Sequence, residues 1–204
     1  MTFLAVAFGY LEALIHLQDL NQFDEEEARL RSMYNILDAA GYDRFMYEDF
    51  ADELFTLIRR VKDGLLHGTA EDILIESFNE DMVQNYVITH IKVCGKVLSF
   101  DNDVLTDTIQ TITSAWMKTH TQDFAAYIPG QTIHEFCQSS ILPVGCEIDY
   151  VGLMALKDVL LSPAGITLEV LYLDRSGGDE VNMHRFSPIG ALRDIGTIRL
   201  LYRP

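Results

Sequence analysis

The sequence is short of cysteine, short of positive charge and short of long apolar runs, and each shortage removes a class of protein. Three cysteines in 204 residues, Cys94, Cys137 and Cys146, build no disulfide framework, which points to a reducing compartment, the cytoplasm or the nucleus. No Cys-x-x-Cys pair or Cys/His spacing of a zinc site occurs, so no metal and no other cofactor is expected. No apolar stretch reaches the roughly 20 residues of a membrane-spanning helix. Met1 to Leu17 is apolar, but it has no basic beginning, carries Glu12 and lacks a small-residue cleavage site, so it does not read as a signal peptide. Lys and Arg number 15 against 31 Asp and Glu, a net charge of −16. That balance argues against nucleic acid and anionic membranes as partners and favours a basic or mixed protein surface; plain solubility is the simpler explanation of the same charge.

What is present is one domain's length of chain with ample core. Its best-marked text runs from Thr132 to Arg175. Thr132 and Glu135 form a capping box that opens a short helix, with Ile133, Phe136 and Cys137 on one face. Pro143 and Gly145 break the chain. A second helix starts near Asp149, carries Val151, Met154, Ala155, Val159 and Leu160, and stops at Ser162, Pro163 and Gly165. Ile166 to Leu173 is a β-rich apolar run, followed by a turn from Asp174 to Gly178. Earlier, Val6 to Leu17 predicts a helix with Phe8, Leu11, Leu14 and Ile15 on one face. Asp24 to Ala39 predicts a surface helix with a thin stripe of Leu30, Met33, Ile36 and Leu37. Asp49 to Leu66 predicts a stronger one, ended by Gly64 and Gly68, and Thr69 with Asp72 marks another capped start. Thr197 to Tyr202 predicts a last strand.

The order of TIHEFCQ, P-x-x-x-E-x-D-Y and VLYLDRSGG closely resembles the otubain branch of the OTU-type cysteine deubiquitinases. Ala5 to Leu14, Ser77 to Asn79, Asn85 with Tyr86, and Leu200 to Pro204 agree in the same order, so the resemblance covers almost the whole chain. It implies an α+β, papain-like OTU/otubain fold, a small central β-sheet flanked by a helical subdomain. It also implies an isopeptidase that cleaves ubiquitin chains: a cysteine attacks the isopeptide carbonyl, a histidine activates it and an acid holds the imidazole.

The resemblance fails where that chemistry sits. In the family a D-G-N-C segment places the nucleophile at the positive end of the helix that here spans Val6 to Leu17, which favours the thiolate. The matching position falls on Met1, and a thioether forms no thiolate. LLYRP matches the text directly before the family's G-H-Y-D segment, which supplies base and acid, so both are expected beyond Pro204. Cys137 reads as a buried structural thiol, and Cys146 lies among acids that would raise its pKa. His134 and His184 have the right chemistry for a base, yet His184, two residues before Phe186, matches a motif on the family's ubiquitin-facing loop. No catalytic residue is therefore assigned.

Residues 93–110 look inserted: without them Lys92 joins Thr111 and the otubain helix runs on without a gap. Val93-Cys94 can be encoded by GTATGT, Leu105-Thr106 can contain CTAAC, and Gln110 can be CAG, the signals of a short retained intron. A mobile loop is the alternative. Departures at the beginning, middle and end all fall where exon boundaries can be missed. The expectation is thus either an otubain-like deubiquitinase of which this single domain is incomplete at both ends, or a catalytically dead paralogue. The dead paralogue would bind ubiquitin, polyubiquitin or a ubiquitin-conjugating enzyme. A non-functional fragment with unpaired sheet edges is the plainest outcome. The expected ubiquitin-facing residues are Asp149, Tyr150, Val151, Asp174, Arg175, His184 and Phe186. Their ordinary alternatives are a helix cap for Asp149, core for Tyr150 and a solvated turn for Asp174 and Arg175.

Overall fold

The structure, a computed structural model, describes residues 2–78, 104–143, 147–173, 181–188 and 194–202. The apolar face expected in the amino-terminal segment makes helix α1, Thr2–Leu17, with Leu11, Leu14 and Ile15 buried. The expected single helix over 24–39 is two, α2 (Leu20–Ser32) and α3 (Tyr34–Ala39), parted at Met33. The break lets the stripe follow the core: Leu30, Met33 and Leu37 are all buried. Helix α4, Arg44–His67, begins five residues before the predicted start because Asp43 caps it, accepting from the Phe45 N–H at 3.0 Å. It ends at Gly68 in the left-handed region, φ 70°.

Gly64 does not end α4, contrary to expectation. It lies inside the helix, where a Cβ would sit 2.9 Å from Ala70 Cα and 2.8 Å from Ile73 Cδ1. Its missing side chain admits helix α5, Ala70–Ser77. Thr69 stands at the start of α5, but its side chain makes no cap hydrogen bond, so that part of the prediction is corrected too.

The mobile loop that stands as the alternative to an intron over 93–110 does not describe its last part. Residues 93–103 lie outside the described residues, whereas 104–110 open helix α6, Val104–Thr119. Thr108, Ile109 and Gln110 are buried, and with Ile112, Ala115 and Met117 they make α6 a central helix of the core. After α6 come α7 (Thr121–Phe124), a 3-10 turn at Ala125–Tyr127 and α8 (Ile133–Phe136). The α8 capping box forms as the sequence indicates: Thr132 Oγ1 accepts from the Glu135 N–H, and Glu135 Oε2 accepts from the Thr132 N–H at 2.7 Å.

The second predicted helix is α9 (Tyr150–Leu156), a wide π-turn (Lys157–Leu161) and α10 (Ser162–Ala164), closed by left-handed Gly165. Pro163 accounts for the wide turn. It has no N–H for the carbonyl of residue 159, and its ring would collide with that carbonyl in a regular helix. The sheet follows: β1 (Ile166–Tyr172), β2 (Asn182–Phe186) and β3 (Gly196–Tyr202), in the order β2-β1-β3. β1 pairs antiparallel with β2 and parallel with β3. The α1 helix packs on β3 at Gly9, where a Cβ would lie 3.0 Å from Ile198 Cγ2. Helices and a small mixed sheet thus share one core, as expected of an α+β otubain fold.

Candidate functional site

The alternation of strand side chains decides which residues meet. Leu168, Val170 and Tyr172 of β1 share a face with Phe186, His184 and Asn182 of β2 and with Ile198, Leu200 and Tyr202 of β3. The inner end of that face is core. At the other end Tyr172, His184 and Tyr202 remain, and helix α9 delivers Tyr150 to them.

Asp149 fixes that delivery. Its backbone is extended, φ −83° and ψ −179°, and its carboxylate accepts from the Gly152 N–H at 2.8 Å, so α9 starts at Tyr150. Gly152 is required there, because a Cβ would meet Ile148 Cγ1 at 2.6 Å and Ile141 Cδ1 at 2.8 Å. The Tyr150 ring stands 5.8 Å from His184, edge to face at 68°, and 5.4 Å from Phe186. Tyr172 continues the row, 5.1 Å from His184 and 5.3 Å from Tyr202. The Tyr202 hydroxyl donates to Glu147, a bond that holds its phenol above its ordinary pKa. Burial, then the charge of Asp149, does the same for Tyr172. Both phenols therefore stay protonated donors at neutral pH.

The structure brings together Asp149, Tyr150, His184 and Phe186 of the seven expected residues. Asp174 and Arg175 lie outside the described residues. Two of the seven are buried. Val151 is buried, because one helical step turns it from solvent to core, and Phe186 is buried opposite Leu168. Tyr150 is 47% exposed, so the alternative that made it core does not hold, whereas Asp149 does act as the helix cap. Tyr172, Tyr202 and Glu147 join the site without having been expected in it. The sequence carries the signal in part, since the LYLDR and LLYRP strands place Tyr172 and Tyr202 opposite each other.

Cys137 is fully buried, its thiol directed at the Ser114 carbonyl at 3.9 Å, and burial pushes its pKa up. A nucleophile needs the opposite environment. Its partner is a carbonyl and not an imidazole, and His134 is exposed. Cys94 and Cys146 lie outside the described residues. A groove of about 250 Å3 runs between α1 and β3, lined by Phe8, Gly9, Glu12, Ala13 and residues 195–200. Among the described residues β3 pairs with β1 alone, so its far edge faces this groove. No helix among them is long and apolar enough to cross a membrane.

The family model described as "Peptidase C65 Otubain" matches residues 2–204. The chain is 30% identical over 219 residues to an Arabidopsis thaliana protein named OVARIAN TUMOR DOMAIN-containing deubiquitinating enzyme 1, covering 99% of this chain and 63% of that one. It is 27% identical over 201 residues to human ubiquitin thioesterase OTUB1, covering 98% and 62%. The chain thus spans less than two thirds of the length of these relatives. A solved structure titled "The structure of h/ceOTUB1-ubiquitin aldehyde-UBC13~Ub" superposes with a TM-score of 0.73 at 22% identity, over 100% of this chain and 69% of that one. A second, with UBCH5B~Ub in its title, gives a TM-score of 0.70 at 22% identity, over 100% and 69%.

Proposed function

The chain belongs to the peptidase C65 otubain family, and from that premise we propose that it is the scaffold of a ubiquitin isopeptidase whose Tyr150–His184 surface faces ubiquitin. The observation that carries this is the convergence of Tyr150, from the first turn of α9, with His184 of β2 on one exposed edge-to-face pair. Exposed aromatic side chains held rigidly by neighbours are the usual anchors of protein recognition. Asp149 places the anchor and Phe186 packs against it; buried Val151 follows it in α9, and Asp174 and Arg175, which come directly after β1 in sequence, are included in the proposal. The titles of the OTUB1 structures name ubiquitin aldehyde and ubiquitin-charged conjugating enzymes. Ubiquitin or polyubiquitin, and a ubiquitin-conjugating enzyme, are the partners we propose here, in the cytoplasm or nucleus.

These 204 residues carry the scaffold without an assigned nucleophile or base. The family's nucleophile position falls on Met1, which lies outside the described residues, and Cys137 is sealed in the core. Base and acid, in the family, follow the LLYRP strand. The amino end of α1, the helix that lines the groove beside β3, is where a thiolate would be stabilised. We propose that these 204 residues, taken by themselves, bind ubiquitin without cleaving it. Incubation of the purified 204-residue chain with a fluorogenic ubiquitin substrate is therefore predicted to show no turnover. Turnover that resists removal of contaminating proteases would refute this assignment.

A further inference from the structure

Arg29 of α2 lies half-buried against the carboxyl half of the α9–α10 segment, far in sequence from everything it touches there. Its Nη1 donates to the Val159 carbonyl at 3.0 Å and its Nη2 to the Leu160 carbonyl at 3.2 Å. The same guanidinium donates to Glu26 Oε2 through Nε at 3.0 Å and Nη2 at 2.6 Å. Nη2 also lies 3.4 Å from the Tyr10 hydroxyl, which itself donates to Glu26 at 2.5 Å. One planar fork thus ties α1, α2 and the π-turn together.

The sequence explains why the π-turn needs an outside donor. In a regular helix the carbonyl of residue 159 accepts from the N–H of residue 163. Residue 163 is proline and has no N–H. A buried carbonyl without a donor is costly, and Arg29 supplies the bond that Pro163 withholds. The π-turn also holds one residue more than an α-turn. If it relaxed, the helix ahead of it would slip by one residue, a rotation of about 100°. Tyr150, at the start of that helix, would leave His184 and Phe186.

We infer that Arg29 is a positioning residue for the ubiquitin-facing surface: by holding the Val159 and Leu160 carbonyls it fixes the π-turn, and so the rotation of α9 that presents Tyr150. This rests on the function proposed above, and its test separates the two. Arg29→Lys keeps a cation beside Glu26 but loses the planar fork. Amide hydrogen exchange at Tyr150–Leu153 is predicted to quicken at least tenfold while exchange in α6 is unchanged, and ubiquitin affinity to fall about tenfold. A merely stabilising arginine would quicken exchange in both places together. Adding Pro163→Ala returns an N–H to position 163, and exchange and affinity are predicted to recover to within about threefold of wild type.

Unchanged exchange at Tyr150–Leu153 in Arg29→Lys, or no recovery in the double variant, overturns the inference. Should Arg29→Lys not fold, the double variant decides: recovery of the fold supports the clamp, and failure to recover overturns it. If the wild-type chain binds no ubiquitin, the proposed function fails, and the exchange measurements still judge Arg29.

Discussion

Tyr150 and His184 meet edge to face, with ring centroids 5.8 Å apart, and join the first turn of a helix to the middle of an edge strand. Neither residue is local to the other in sequence, so the contact is a product of the fold. It depends on the Asp149 cap, on the absence of a side chain at Gly152 and on the π-turn that follows. The surface is therefore only as well placed as the packing beneath it, and several predictions concern that packing.

Gly64→Ala is the sharpest of these. Helix propensity alone favours alanine by about 1 kcal/mol inside α4. The added Cβ would stand 2.9 Å from the Ala70 backbone and 2.8 Å from Ile73, which has to move. The clash wins in this account, and the variant is expected to lose about 1–3 kcal/mol in urea unfolding. A gain in stability would show that α5 yields freely.

The capping box of α8 makes stability depend on acid. The Thr132 backbone N–H, and then its hydroxyl, hold the Glu135 carboxyl below its ordinary value of 4.5. Its contribution is complete above that ordinary value and is lost as pH falls through the depressed one. Wild type and Glu135→Gln should therefore differ in urea midpoint at pH 7 and converge in acid. A difference that persists or grows in acid would contradict this. Thr132→Ala is expected to cost about 1 kcal/mol at neutral pH.

That box is legible in the sequence because its partners lie three residues apart and their chemistry is local. The same holds for the strands, whose apolar runs form β1 and β3, and for Gly68 as a helix end. Gly64 has the look of a helix end as well. Its real reason is the approach of α5, and no local pattern carries that. The split at Met33 escapes a sequence reading for the same reason, since it settles how a helix follows the core; the π-turn has a local cause in Pro163, but its form shows only in the structure. The aromatic site is half legible, since the motif residues Asp149, Tyr150, His184 and Phe186 converge, while Val151 faces inward and Tyr172 and Tyr202 emerge only from the fold.

Cys137 should be chemically silent. Burial raises its thiol pKa and leaves it no room to react. Iodoacetamide at neutral pH, followed by mass mapping, is expected to leave Cys137 unmodified in the folded chain and to label it in urea. Rapid labelling of the folded chain would reopen its candidacy as a nucleophile.

Deleting residues 93–110 tests whether they are an insertion. The deletion joins Lys92 to Thr111 and puts Ile91 where Ile109 now lies buried in α6. The apolar position is preserved, so the shortened chain is expected to fold with a Tm at or above that of the 204-residue chain. Failure to fold would mean that residues 86–92 cannot stand in for 104–110 at the start of α6 and that the insertion idea is wrong.

The most direct test of the central claim is a titration of 15N-labelled ubiquitin with the 204-residue chain and with its Tyr150→Ala variant, followed by NMR. Tyr150 is the useful position because it is half exposed, whereas replacing buried Phe186 would unsettle the core. The account predicts a localised set of ubiquitin shift changes with wild type and an affinity at least tenfold weaker with the variant. No shift changes with folded wild type, or equal affinity for both chains, would contradict it.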